Sequence, residues 1–101
     1  MKYEGFEWDD DKAESNKKDH GVSFEEAQEV FSFDDNRVEL VDEIHSEEEH
    51  RYYVIGFSRE GRPLLVTFTE RGQNIRIIGA RIAETKWQRI YEENGSIRIS
   101  P

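Results

Sequence analysis

Three β-rich runs in the second half of the chain constrain the fold more than any other feature of the sequence. They cover 51–58, 64–69 and 75–80, and they are rich in the β-branched and aromatic residues that strands favour. Only two short glycine-containing segments, 59–62 and 71–73, separate them. Connections of this length join neighbouring antiparallel strands, so the sequence predicts a β-meander.

Two helices are predicted before the meander. Asp9 is placed to cap a polar helix over 10–19, which Gly21 ends because glycine readily takes the left-handed conformation. Ser23 and Glu26 have the spacing of a capping box at the start of the second helix. The second helix has an apolar face at helical spacing, formed by Phe24, Ala27, Val30 and Phe31.

The remaining segments complete the predicted architecture. Aromatic residues within 3–8 indicate a first strand, and 37–41 indicates another before an acidic connection. A last helix is predicted over 82–93, with Asn94 and Gly95 ending it. The order β-α-α-β-β-β-β-α predicts a two-layer α+β fold, in which an antiparallel sheet packs against helices.

Length and composition predict one domain. The chain has 101 residues, and we place the domain at 1–95 with a C-terminal tail at 96–101. Cysteine is absent, which excludes a disulfide framework and a thiolate metal site. No secretory signal and no apolar run of membrane-spanning length are present, so we expect a cytoplasmic protein without a membrane partner.

The charge distribution leaves two interpretations open. The net charge of −9 taken alone argues against a polyanionic partner, yet most acidic residues lie in the first half and the second half is basic. The arginine-rich half is either a dispersed solvated surface or a face that meets phosphate or an acidic partner.

Arginines on or beside the meander are the first candidate site residues. Arg76 alternates with Ile75 and Ile77, so its guanidinium is predicted to point away from the face that the isoleucines share. A guanidinium binds phosphate through paired hydrogen bonds and stabilises negative charge in a transition state. The competing interpretation is a structural ion pair with a nearby glutamate such as Glu70 or Glu84. The candidates are Arg62, Arg71, Arg76 and Arg81.

Proton transfer and metal binding each have candidate residues. Histidine side chains can act as general acids or bases, so His20 is a candidate for proton transfer, with Tyr91 as a further donor. A histidine before a glycine C′ residue also favours a helix C-terminus. His45 and His50 stand among acidic residues, but without the spacing of a metal motif, and a solvated loop explains them better. We expect neither a metal nor a cofactor.

Specific motifs in the chain resemble those of a known family. The opening residues 6–9, Lys12, Asn16 and 20–27 are followed by matching positions along most of the chain. These are Val30-Phe31, His45-Ser46, Glu49 and Arg51, Ile55-Gly56, Gly61-Arg62, 69–72, 75–78, Ala80-Arg81 and Tyr91-Glu92. Over 6–92 the sequence resembles the BrnT toxins of type II toxin-antitoxin pairs.

The resemblance implies a fold similar to RelE-type ribonucleases and cleavage of RNA without metal or cofactor, through attack of the substrate's 2′-hydroxyl on the adjacent phosphodiester. It also implies a ribbon-helix-helix antitoxin, BrnA, through which alone the protein would meet DNA. By this resemblance, Arg62, Arg76 and Arg81 are predicted to bind phosphate or the transition state. His20 is predicted to transfer protons or position substrate, with Tyr91 as a weaker candidate.

Departures from the family pattern support an alternative. Asp19 stands where the family usually has lysine, Gly79 where it has serine, Ile82 where a second arginine is common and Phe57 where arginine is frequent. The alternative is a catalytically inactive BrnT-like interaction module. A further hypothesis is an adaptor unrelated to toxins, whose acidic first half would be the binding surface.

Overall fold

A mixed five-stranded sheet with the order β1-β5-β4-β3-β2 forms the centre of the fold. The computed structural model describes residues 5–44 and 49–99, with 95–99 described by their backbone alone. The strands are β1 (Gly5–Glu7), β2 (Val38–Asp42), β3 (Arg51–Phe57), β4 (Pro63–Arg71) and β5 (Asn74–Ile82). The helices are α1 (Asp10–His20), α2 (Phe24–Phe33) and α3 (Thr85–Ile99).

The predicted element order and α+β class are confirmed, and strands β2 to β5 form an antiparallel meander. The first strand differs from the expectation of an antiparallel sheet, because β1 pairs parallel to β5. Its pairing covers only Gly5 to Glu7, opposite Asn74 to Arg76. The rest of β5 therefore lies at the sheet edge, beyond the end of β1.

Helices cover both faces of the sheet. On one face, the apolar side of α2 packs with Val54, Val66 and Phe68 in the larger core, while α3 packs on the opposite face against Ile55 and Leu65. Neighbouring residues such as Val54 and Ile55 are both buried, and this is the pattern of strands that are covered on both sides. The face that carries α3 also bears the polar residues described below.

The predicted starts of the first two helices are confirmed, whereas both predicted limits of the last helix are wrong. Asp9 Oδ1 accepts hydrogen bonds from the backbone N–H groups of Asp11 and Lys12, and Ser23 Oγ accepts one from Glu26 N. The last helix begins at Thr85 rather than at Ile82, because Ile82 still pairs with Leu64 as the last residue of β5. It does not stop at Asn94-Gly95 but continues to Ile99, so residues 96–99 of the predicted tail are helical. A glycine within a helix costs about 1 kcal/mol, which a helix tolerates.

None of the helices in the described residues is both long and apolar enough to span a membrane.

Candidate functional site

A cleft of about 310 Å³ opens on the face of the sheet that carries α3, beside the end of α1. Strands β2 to β5 form its floor, and α1 forms one wall. Its polar lining brings together side chains that are distant in sequence, since the sheet order places β3, β4 and β5 side by side. These side chains are His20, Asp42, Arg51, Tyr53, Thr67 and Arg81.

Asn16 fixes the wall of the cleft. Its side-chain amide continues the sheet edge that β1 leaves open: Oδ1 accepts a hydrogen bond from Ala80 N at 3.1 Å, and Nδ2 donates to Ala80 O at 2.7 Å. Nδ2 also donates to Val22 O at 2.9 Å. These contacts hold the last turn of α1 against β5, and His20 at its end lines the cleft.

Arg81 brings a positive charge to the floor of the cleft. It lies opposite Leu65 in the β4–β5 register, and its side chain is 49% exposed. The nearest carboxylate described is that of Glu84, with a nitrogen-to-oxygen distance of 3.8 Å and 64% exposure. An ion pair so long and so exposed contributes little, so the guanidinium is available to an anionic ligand.

Tyr53 and Asp42 form a hydrogen-bonded pair in the same cleft. Asp42 is only 4% exposed and lies opposite Arg51 in the β2–β3 register. Burial and the hydrogen bond to Asp42 raise the pKa of Tyr53, while the positive charge of Arg81 lowers it. The sequence did not reveal these three residues as site residues, because Asp42 belongs to an acidic run and Arg51 and Tyr53 are also ordinary strand residues. The signal that the sequence did contain is the alternation of Arg51 and Tyr53 on β3, which places both side chains on one face of the sheet.

Arg76 lies on the same face as Arg81 but is not among the residues that line the cleft. As predicted, it points away from the buried Ile75 and Ile77. Its Nη1 donates to Glu7 Oε2 at 2.9 Å, so its partner is on β1 rather than the glutamate expected nearby in sequence. Hydrogen bonds from Asn74 and then from Arg76 lower the pKa of Glu7.

Arg62 comes just before β4 and contacts the turn that follows His20. Its Nε donates to Glu26 Oε2 at 2.9 Å, its Nη2 also binds Glu26, and the same Nη2 donates to Gly21 O at 2.9 Å. Ser58 Oγ donates to the same carboxylate at 2.8 Å. The hydrogen bond from Arg62 is the main cause of the lowered pKa of Glu26, and Glu26 in turn raises the pKa of Arg62.

Tyr91 lies away from the cleft, in a small apolar pocket of about 70 Å³ between α3 and β3. Its hydroxyl donates to Asp34 Oδ2 at 2.9 Å, and its ring meets Phe57 edge-on at 5.3 Å. Among the predicted site residues, His20 and Arg81 therefore share the cleft. Arg62, Arg76 and Tyr91 make contacts that hold neighbouring elements together.

Comparison with known proteins defines the family. A family model described as the ribonuclease toxin BrnT of type II toxin-antitoxin systems matches residues 8–86. The chain belongs to the BrnT family. The crystal structure of the Brucella abortus ribonuclease toxin BrnT is similar in fold, with a TM-score of 0.62 and 24% identity, over 80% of this chain and 97% of that one. No curated protein matches the chain in sequence.

Membership of the BrnT family makes this chain one of the ribonuclease toxins of type II pairs, whose partner is an antitoxin. It excludes the hypothesis of an adaptor unrelated to toxins. His45 lies outside the described residues, so the structure does not test the histidine-rich segment as a metal site. Within the described residues, no three potential metal-ligating side chains cluster.

The departures from the BrnT pattern fall mostly outside the cleft. Asp19 lines a neighbouring groove on the outer side of α1, Phe57 packs against Tyr91, and Ile82 is 40% exposed. Gly79 does line the cleft. A Cβ atom there would lie 3.8 Å from Asn16 Oδ1, which is an ordinary van der Waals contact, so the site has room for a Cβ atom.

Proposed function

We propose that this BrnT-family chain is an active ribonuclease and that it cuts RNA in the cleft between α1 and the sheet. The observation that carries the proposal is that His20 and Arg81, both predicted from sequence, line one cleft although they come from different elements. A titratable imidazole and a guanidinium at one place supply the two kinds of group that phosphodiester cleavage requires.

The proposed reaction uses the substrate's own nucleophile. The ribose 2′-hydroxyl attacks the adjacent phosphorus, and the bond to the 5′-oxygen breaks, leaving a 2′,3′-cyclic phosphate and a 5′-hydroxyl end. Arg81, with Arg51 across the cleft, stabilises the negative charge that grows on the phosphoryl oxygens. His20 donates the proton that the 5′-oxygen needs in order to leave. The reaction needs no metal and no cofactor.

Arg62, Arg76 and Tyr91 take supporting roles in this proposal. Arg62 holds the carbonyl of Gly21, the residue after His20, and so fixes the turn that presents the imidazole. Arg76 carries positive charge on the same face of the sheet, where the Glu7 carboxylate partly offsets it. Tyr91 anchors α3 to Asp34. Their predicted roles as phosphate ligands or donors would require these contacts to rearrange when RNA binds.

The proposed partners follow from the family and the charge pattern. We propose that a BrnA-like ribbon-helix-helix antitoxin in the cytoplasm neutralises the toxin by covering the cleft, and that DNA is met only through that complex. An antitoxin that places acidic side chains beside Arg51 and Arg81 would compete directly with RNA phosphates.

Expression in bacterial cells tests the proposed function. We expect the wild-type chain to arrest growth and fragment cellular RNA, and His20→Ala to do neither at equal protein level. Arg89→Ala is the matched control, because Arg89 is exposed on α3 and does not line the cleft. A wild-type chain that binds its antitoxin but leaves RNA intact would establish the inactive interaction module instead.

A further inference from the structure

In the proposed reaction, His20 protonates the leaving 5′-oxygen. The reaction also requires a group that removes the proton of the 2′-hydroxyl. The cleft contains a hydrogen-bonded pair with no other role in the proposed reaction, formed by Tyr53 and Asp42. Tyr53 comes from the middle of β3 and Asp42 from the end of β2. Both side chains face the floor where Arg81 would hold a phosphate.

The direction of the hydrogen bond determines what the pair can bind. A carboxylate only accepts hydrogen bonds, so the phenolic O–H of Tyr53 donates to Asp42. The lone pairs of the phenolic oxygen are then left to accept a hydrogen bond from a donor in the cleft. The ribose 2′-hydroxyl is the donor that distinguishes RNA from DNA at a cleavage site.

We propose that Tyr53 and Asp42 form a relay that recognises the ribose 2′-hydroxyl and accepts its proton. As the 2′-oxygen bonds to phosphorus, its proton passes to the Tyr53 oxygen while the phenolic proton passes to an Asp42 oxygen. The leaving 5′-oxygen takes a proton from His20, so the active site gains one proton and loses one. This assignment rests on the proposed ribonuclease function.

The surroundings of the pair favour a relay over a free phenolate. Tyr53 packs against Trp87, with ring centroids 5.3 Å apart, and its raised pKa keeps the phenol protonated at neutral pH. The charged and titratable groups that line the same cleft are Arg51 from β3, Arg81 from β5 and His20 from α1. The proposed relay uses Asp42 as a carboxylate, and the positive charges of the two arginines lie in the same cleft.

Two substitutions separate a relay from a purely structural hydrogen bond. Tyr53→Phe keeps the ring against Trp87 but removes the hydroxyl, and Asp42→Asn keeps an oxygen that accepts from Tyr53 but removes the negative charge. We expect each to lower kcat for cleavage of a short RNA by about 10²-fold, with KM and Tm little changed. Tyr52→Phe is the matched control, because Tyr52 lies on the opposite face, stacked on Phe68.

The pH profile gives a second readout that a structural role would not change. We expect kcat/KM of the wild-type chain to fall at low pH as Asp42 becomes protonated, and this acid limb to be absent in Asp42→Asn. Full kcat in Tyr53→Phe would overturn the relay while the ribonuclease function stands. Full kcat in Asp42→Asn would do so too, because Asp42 would then only hold Tyr53. A wild-type chain that cleaves no RNA would overturn both proposals.

If Asp42→Asn does not fold, the kcat of Tyr53→Phe alone tests the relay.

Discussion

At the scale of single residues, Gly56 shows how closely α2 approaches β3. A Cβ atom at this position would lie 2.7 Å from Val30 Cγ1, 3.1 Å from Asp34 Oδ2 and 3.2 Å from Arg37 Cβ. The first of these distances is far inside van der Waals contact. The absence of a side chain therefore lets the larger core close and keeps Asp34 within reach of Phe57 N at 2.8 Å.

We predict that Gly56→Ala destabilises the protein, because the added methyl group forces α2 away from β3. The expected loss in the free energy of unfolding is about 1–3 kcal/mol, measured by urea denaturation. Gly79→Ala is the control, since its Cβ would meet only Asn16 Oδ1, at 3.8 Å, and we expect a change within about 0.5 kcal/mol. Equal stability of the two variants would contradict the packing described.

Single residues also show which site features the sequence could predict. The alternation of Arg76 with two isoleucines correctly predicted the sheet face to which its side chain points, because side-chain direction in a strand is a local property. The partner of Arg62 could not be predicted, because Glu26 lies 36 residues away and meets it only after the sheet has formed. The Tyr53–Asp42 pair likewise depends on the register between two strands.

At the scale of elements, the contacts of Arg62 join three parts of the fold. Through Glu26 and Gly21 they link the entry to β4, the first turn of α2 and the end of α1. Because Arg62 lowers the pKa of Glu26, the carboxylate stabilises the folded state above its ordinary pKa of 4.5. The contribution is lost as the pH falls from 4.5 through the lower pKa of the folded state.

We predict that Glu26→Gln lowers the free energy of unfolding at pH 7 by about 1 kcal/mol, since a charge-assisted contact is lost. The difference from the wild-type chain should shrink at pH values below 4.5, where Glu26 itself becomes protonated. Urea denaturation at several pH values measures this difference in the free energy of unfolding. The exposed Glu25 on the same helical turn provides the control variant Glu25→Gln. A difference that does not change with pH would contradict the assignment.

One amide side chain makes the hydrogen bonds between α1 and the sheet, in addition to the packing of Ala13 against the larger core. Asn16 makes two hydrogen bonds to Ala80 and one to Val22, whereas α1 buries no residue fully. We predict that Asn16→Ala lowers stability by about 1–2 kcal/mol and slows RNA cleavage, because His20 is no longer held at the cleft. Ser15→Ala, at an exposed neighbouring position, should change neither unfolding nor the cleavage rate. Wild-type cleavage by Asn16→Ala would refute this role.

Most elements were predictable because their signals are local. Helix caps, short turns and strand composition all lie within a few residues of one another, and they gave the order of elements correctly. The end of α3 was not predictable from Asn94-Gly95, because Asn94 Nδ2 instead donates to Ile90 O within the helix, at 2.8 Å. The parallel pairing of β1 with β5 joins the first strand to the last, and no local signal encodes it.

At the scale of the whole molecule, an acidic chain carries a local basic site. The net charge is −9, yet Arg51, Arg81 and His20 line one cleft. In the proposed function, the acidic surface elsewhere disfavours unspecific binding of nucleic acid, while the cleft attracts a phosphate at short range. A toxin with this charge pattern depends on few phosphate contacts, so the loss of one arginine should affect the reaction strongly.

The cleavage rate of the purified chain on a short RNA, compared between Arg81→Ala and Arg89→Ala, tests directly whether the cleft is the site of RNA cleavage. We expect Arg81→Ala to lower the initial rate by about 10²-fold, because the charge that develops on the phosphoryl oxygens loses its main partner. The rate of Arg89→Ala should equal that of the wild-type chain. Cleavage by Arg81→Ala at the wild-type rate would contradict the assignment of the cleft as the active site.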